Sequence, residues 1–339
     1  MFELQAIIDK YFQQFKAGFI KREDLISPIY AKSKFDECFT TITIEDSVKD
    51  FIVIDMEDAR FQQFTTEFFA IGGISFKPIQ LKMNEIELAT AATPDEIRKT
   101  AIQFLLEKNN LDRTQSPAVA LYLEQYLLSS IDSLHKNETF KGIKEIVPVG
   151  ADGKPTRASA KGKLIDGFGT YVHKLVTDAT PGVIKPQLLD GFATMPDTPE
   201  QHVEYIEDMY EELDEEIKAT FDCFSVNTRF ERMYRRGKKK KYNQYYDNVP
   251  VDNTIEFSDN GARVCGSIDQ NGTNLIWGTT KKNAVKLVSN VGNVGNWQLG
   301  IAPGLKKVQA QSDYGISYGL VVPDRCFING NFDGLPALN

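Results

Sequence analysis

The chain has 339 residues, 42% of them hydrophobic and 25% charged, with a formal net charge of −8. Such a composition can bury a large core, as one elaborate domain or two interleaved ones, and it excludes a disordered polymer. The negative balance argues against a surface that grips nucleic acid or anionic membrane all over, and leaves only local basic patches for that purpose.

No apolar run approaches the roughly 20 residues that cross a bilayer, and the first residues lack a signal-peptide pattern, so a cytoplasmic origin without a membrane partner is expected. Cys38, Cys223, Cys265 and Cys326 stand far apart and form no CxxC pair. They read as buried thiols, with neither a zinc site nor a redox motif signalled.

In chain order, residues 2–20 carry apolar positions at helical spacing and suit either an arm laid on a neighbour or a helix docked on its own core. Strand chemistry follows at Phe39–Ile44 and Phe51–Ile54, and again from Ile74 to Leu88, where Pro78 points to an edge strand. Between these runs lies a connector containing Phe61, Phe64, Phe68 and Phe69. The pattern predicts a long hairpin, and one that projects needs a partner surface for its aromatic residues.

Thr93-Pro-Asp-Glu96 is a capping box for a short helix. Ser116-Pro117 then opens a stretch with Val119, Tyr122, Leu123, Tyr126, Leu127, Ile131 and Leu134 at three- and four-residue steps, closed by Gly142 in an expected left-handed conformation. A helix of that extent is about 40 Å long, more than an ordinary core needs. Residues 147–162 read as a loop and 164–176 as a short helix, with His173 taken as a satisfied surface or core histidine.

Thr198-Pro-Glu-Gln201 starts a second long helix whose outer face is acidic from Glu200 to Glu216. Shortly after comes a segment, 228–241, with eight basic residues (Arg229, Arg232, Arg235, Arg236, Lys238, Lys239, Lys240 and Lys241) against one glutamate. The adjacent acidic and basic helices are expected to complement each other, within one subunit or between subunits, with phosphate binding by the basic run as the functional rival. The last hundred residues read as short strands, at 254–257, 262–265, 274–277, 284–288, 297–301, 308–311 and 318–328, separated by Gly, Asn and Asp turns. The turn Gly278-Thr-Thr-Lys-Lys-Asn283 lacks phosphate-loop spacing. No set of residues has the pattern of a nucleophile with its base, a metal cage or a dinucleotide fingerprint, so neither an enzyme nor a cofactor is expected.

An α+β body with one very long helix, a projecting hairpin and an N-terminal arm resembles the Hong Kong 97-type capsid fold of tailed double-stranded DNA bacteriophages, which encapsulin shells share. Phe76–Met83, Thr93–Arg98, Phe104-Leu-Leu106 and Ser116 through Gly142 are similar to the run from extension loop to spine helix in one branch of that family. Lys163–Phe168 and Asn274–Asn283 resemble its axial-domain segments. The resemblance implies an N-terminal arm at 1–45, an extension loop at 46–90, and a peripheral domain at 91–142 with its spine helix at 116–142. An axial domain at 143–300 and closing strands at 301–339 complete the division.

The resemblance also implies self-assembly into hexamers and pentamers of an icosahedral virion shell, put together in the host cytoplasm around double-stranded DNA held by non-specific contact. Portal, scaffolding and decoration proteins are the implied partners, with scaffolding on a separate chain because little sequence precedes the spine. An encapsulin-like compartment and a nucleic-acid-binding protein using residues 229–241 stand as alternatives, with an enzyme third. The basic residues named above are the candidate inter-subunit or phosphate contacts.

Overall fold

The computed structural model describes residues 34–338 except 45–47, 58–72, 93–136, 149, 151–158, 243–251, 257, 259, 281, 290–297 and 303–306. Residues 1–33, the helix that opens at Thr93, the stretch 116–136 and the aromatic connector between the hairpin strands therefore lie outside the described residues.

A short helix α1 (Lys34–Glu37) leads into β1 (Thr40–Ile44). Strands β2 (Val48–Glu57) and β3 (Gly73–Lys82) form the expected hairpin, in antiparallel register from Val48 opposite Lys82 to Glu57 opposite Gly73. Within the described residues they pair only with each other, so both are edges, which is where Pro78 can sit without breaking a ladder. Flanking strands go elsewhere: β1 runs parallel to β9 (Ala284–Ser289), and β4 (Asn84–Ala92) pairs antiparallel with β11 (Lys307–Leu320). With β10 (Gln298–Ala302) on the opposite side of β11, these strands make the first five-stranded sheet.

The second sheet has the order β5 (Gln187–Leu188), β12 (Cys326–Ile328), β8 (Trp277–Thr279), β6 (Cys223–Asn227), β7 (Arg263–Ser267). The parallel pair β6 and β7 needs a crossover, and helix α5 (Thr228–Lys241) supplies it. Ahead of these strands in the chain come α2 (Phe168–Thr177), α3 (Pro199–Glu211) and the single turn α4 (Glu215–Lys218).

Strand alternation divides the interior. From β6, Phe224 and Val226 join Val264, Ile276 and Phe327 beneath α3 and α5, where Val203, Ile206, Met209, Tyr210, Phe230 and Tyr234 complete the layer. Cys223 faces the other way, into a core shared with the first sheet through Ile316, Tyr318 and Leu320. Phe35 and Phe39 are at the centre of that shared core, with ring centroids 5.6 Å (Phe35–Phe140), 5.1 Å (Phe39–Phe168) and 5.1 Å (Phe39–Tyr318) apart. Lys286 on β9 pairs with Asp36 at 2.8 Å, and the Tyr318 hydroxyl donates to the same carboxylate. Residues 34–44, placed in the arm by the sequence reading, are thus built into the body. A third cluster, Ile44, Leu81, Met83, Val285 and Leu287, roots the hairpin with Phe51 packed against it.

Several expectations change. Gly142 ends its turn, its N–H donating to the Glu138 carbonyl at 3.1 Å, but it is not among the glycines with positive φ. A Cβ there would stand 2.5 Å from the Ile165 carbonyl oxygen, so the glycine is required by close backbone approach rather than by handedness. That approach is a backbone zipper: Ile143, Gly167, Phe168 and Gly169 donate to the carbonyls of Gly162, Gly142, Thr139 and Phe140 at 2.9–3.0 Å. Because 162–167 is used this way, α2 starts only at Phe168.

The acidic helix breaks at 212–214, where Leu213 turns into the core and its N–H reaches back to the Tyr210 carbonyl, three residues away. Residues 254–256, the described part of the expected strand 254–257, form no strand. Thr254 makes one isolated bridge, and its carbonyl is taken by the Lys238 ammonium and the Tyr234 hydroxyl. Residues 308–311 and 318–320 belong to one strand, β11, because β4 pairs with it from Val308 through Ser312, Asp313 and Gly315 to Ile316, where β9 takes over. A cut at residue 300 does not separate the sheets, since β9 lies in the first and β12 in the second.

Candidate assembly surface

Two adjoining helices, α3 and α5, carry opposite charge. Helix α3 opens with the capping box read from the sequence: the Thr198 hydroxyl accepts from the Gln201 N–H, and the Gln201 side chain accepts from the Thr198 N–H. Asn227 caps α5 by accepting from the Phe230 N–H at 2.8 Å. The helices touch where Gly237 meets Pro199, so closely that a Cβ on Gly237 would stand 1.9 Å from the Pro199 carbonyl oxygen.

This contact sorts the eight basic residues. Lys240 pairs with Glu200 at 2.9 Å, and Lys241 pairs with Glu207 at 2.8 Å. Lys238, 2% exposed, donates to Asp252 at 2.9 Å and pairs with Glu256 at 3.2 Å. All three sit in the last turn of α5, where the helix dipole also favours positive charge. Arg229, Arg232, Arg235, Arg236 and Lys239 are exposed, and none makes an ion pair among the described residues.

The acidic face divides similarly. Glu211 and Glu215 both hold Lys218, at 3.1 and 2.9 Å. Asp208, Glu212, Asp214 and Glu216 are exposed without an ion pair among the described residues. The acidic and basic helices therefore pair within one subunit through Lys240 and Lys241, while five cations of α5 and the acids at 208, 212, 214 and 216 are exposed.

Titratable groups nearby are shifted by burial. The His202 pKa is lowered by desolvation, opposed by its ring nitrogen's 2.7 Å contact with the Thr198 carbonyl. Burial likewise lowers the pKa of His173, whose ring stacks on Phe332 at 4.2 Å while its Nδ1 has no hydrogen-bond partner. Both histidines pack as parts of the interior, although the ring nitrogen of His173 is not satisfied as expected.

One grouping escaped the sequence entirely. Cys38, Cys223 and Cys265 converge, with their three sulfurs within 4.8 Å of one another. Their separations of 185 and 42 residues match no motif spacing, and only the alternation of β6 and β7 could have placed two of them on one face. Among the described residues, no helix is long and apolar enough to cross a membrane.

No family model matches the sequence, and no curated protein matches it. Solved structures do match over nearly the whole chain. One is the procapsid of satellite phage P4 with its size determination protein, at 11% identity and a TM-score of 0.46, covering 99% of this chain and 98% of that one. The capsid of an empty GTA particle matches at 11% identity and a TM-score of 0.49, covering 87% and 88%. The holo-SrpI encapsulin complex from Synechococcus elongatus matches at 10% identity and a TM-score of 0.45, covering 90% and 89%.

Proposed function

We propose that the chain is a self-assembling shell protein of the Hong Kong 97-type, the major capsid protein of a tailed double-stranded DNA phage. The observation that carries this reading is the β2–β3 hairpin. Its ten-residue strands are about 34 Å long, yet among the described residues they hydrogen-bond to neither sheet. An isolated two-stranded ribbon is marginal in water, and the run Phe51-Ile-Val-Ile54 offers no polar alternation to solvent. A neighbouring copy lapped by the hairpin would supply the missing layer.

The charge pattern supports the same reading. A five-cation stripe on α5 and exposed acids along α3, its C-cap and α4 suit head-to-tail contacts, which close into rings when the rotation allows. The implied partners are further copies of the chain in hexamers and pentamers, then portal, scaffolding and decoration proteins. Double-stranded DNA lies inside the shell. The β2–β3 hairpin, within the 46–90 segment, serves as the extension loop, and the α3–α5 unit with the second sheet as the axial domain.

Sedimentation velocity and negative-stain microscopy of the expressed chain test the proposal. Shells or ring-shaped capsomers are the expected result, and nucleic acid rather than a protein cargo inside particles separates a capsid from an encapsulin. A chain that remains monomeric at high concentration and binds DNA with a steep salt dependence would overturn the reading in favour of a nucleic-acid-binding protein.

A further inference from the structure

Three parts of the fold bring the cysteine cluster together. Cys38 follows α1 directly, Cys223 opens β6, and Cys265 is the middle residue of β7. The parallel register sets Cys223 opposite Arg263 and Ser225 opposite Cys265, so both cysteines occupy the sheet face that Cys38 approaches. The Cys38 and Cys223 sulfurs are 4.0 Å apart, and all three lie within 4.8 Å. We propose that these three thiols form a binding site for one thiophilic d10 metal cation, Zn(II) or Cu(I), that clips the N-terminal entry of the body to the second sheet.

The dimensions fit. With metal–sulfur bonds near 2.3 Å, ligand sulfurs sit about 3.8 Å apart around a tetrahedral ion and about 4.0 Å apart around a trigonal one. One edge is already at that spacing, and the others close by less than about 1 Å on the same basis. Soft thiolates select Zn(II) and Cu(I) over the hard cations. Three sulfurs complete a trigonal Cu(I) site, while Zn(II) would take a water as its fourth ligand, reached on the side where Cys265 is half-exposed.

The surroundings suit a thiolate cluster. Ser225, which interacts with the Cys38 thiol, accepts a 2.6 Å hydrogen bond from the Gln270 amide, so its own proton can point at sulfur. Arg263 stands opposite Cys223 in the parallel register, where its guanidinium can offset the excess negative charge. Thiols become thiolates when they ligate a metal, so metal entry releases up to three protons to solvent, one from each sulfur, and binding tightens as pH rises.

The site is internal to one subunit, so it stands or falls independently of the shell reading. The test uses the full-length chain kept reduced. Zn(II) binding is followed with Co(II) as a spectroscopic probe of thiolate charge transfer, and Cu(I) binding by competition with a chromogenic chelator. One equivalent per chain, with close to three protons released per ion, is expected from one of the two cations.

Cys265→Ala, at the half-exposed position, should weaken binding by more than about 100-fold, beyond the loss typical of outer-shell changes. Cys326→Ala, outside the cluster, should leave binding unchanged. The wild-type stoichiometry and proton count need no variant, so they decide the matter even if Cys265→Ala misfolds. Neither cation binding stoichiometrically, equal affinity in wild type and a folded Cys265→Ala, or thiol loss to a Cys38–Cys223 disulfide with no metal uptake would each overturn the proposal.

Discussion

Replacing Gly237 by alanine isolates the crossing of α3 and α5. The new Cβ would meet the Pro199 carbonyl oxygen at 1.9 Å, its carbon at 2.5 Å and Val203 Cγ2 at 2.8 Å. Two of these atoms are helix backbone and cannot rotate away, so the helices must part by more than an ångström. Overpacking of this kind costs roughly 1–3 kcal/mol and here falls at the upper end, against which alanine returns about 1 kcal/mol of helix propensity.

Parting the helices also stretches the Lys240–Glu200 and Lys241–Glu207 pairs, which are screened by solvent and add little. The net expectation is a loss of about 2 kcal/mol, read as a lower urea midpoint at unchanged slope in dissociated subunits. Arg236→Ala, one residue away and exposed, should stay within about 0.5 kcal/mol. A Gly237→Ala chain as stable as wild type would show that propensity outweighs the contact and that the crossing is looser than described.

Further outcomes follow from the same geometry. Phe35→Ala removes a fully buried ring that meets Phe39, Phe140, Phe168, Trp277 and Tyr318, and should cost about 3–5 kcal/mol; a loss below 1 kcal/mol in urea unfolding would remove Phe35 from the core. Lys238→Met exchanges a buried ammonium for an apolar chain of similar length and should change stability at pH 7 by less than about 1 kcal/mol, because Asp252 and Glu256 keep access to water.

Lys238 also holds the Asp252 pKa below its ordinary 3.8. That carboxylate adds stability above pH 3.8 which is lost as pH falls through its folded value, so the methionine variant should lose less than wild type between pH 5 and the acid limb. Identical acid slopes would refute the coupling. Arg235→Glu with Arg236→Glu should block shell or capsomer formation while leaving circular dichroism and unfolding unchanged; particles at normal yield would remove the stripe from the seam.

Local chemistry was legible wherever a short segment settles its own structure. The capping box at Thr198 is visible in the residues and is made as read, and the hairpin is announced by two apolar runs with Pro78 in one of them. Tertiary contacts decided the rest. Ser312, Asp313 and Gly315 look like a turn, yet pairing with β4 holds them extended. Gly142 looks like a left-handed stop, but a carbonyl from a segment more than twenty residues later sets its requirement. The thiol cluster could not be read, because its members come from three strands or turns whose adjacency is a property of the second sheet and of the entry of residues 34–44 into the core.

The basic run best shows why sequence charge alone is ambiguous. Eight cations in fourteen residues fit either a partner for the acidic helix or a phosphate-binding face, and the three in the last turn are held by Glu200, Glu207, Asp252 and Glu256, which helps fix α5 in place. The remaining five therefore project from a helix that cannot rotate about its own axis, with Gly237 pressed on Pro199 on the far side. Acids at 208, 212, 214 and 216 project from the adjoining helices in the same way. In the proposed assembly, opposite charges on one body would favour head-to-tail contact between copies, whereas a nucleic-acid face would be repelled by the acidic residues. Such contacts would weaken beyond the roughly 8 Å screening length of physiological salt. On that proposal the charged residues would select and orient neighbours, and the hairpin, once seated, would supply the contact area that keeps them.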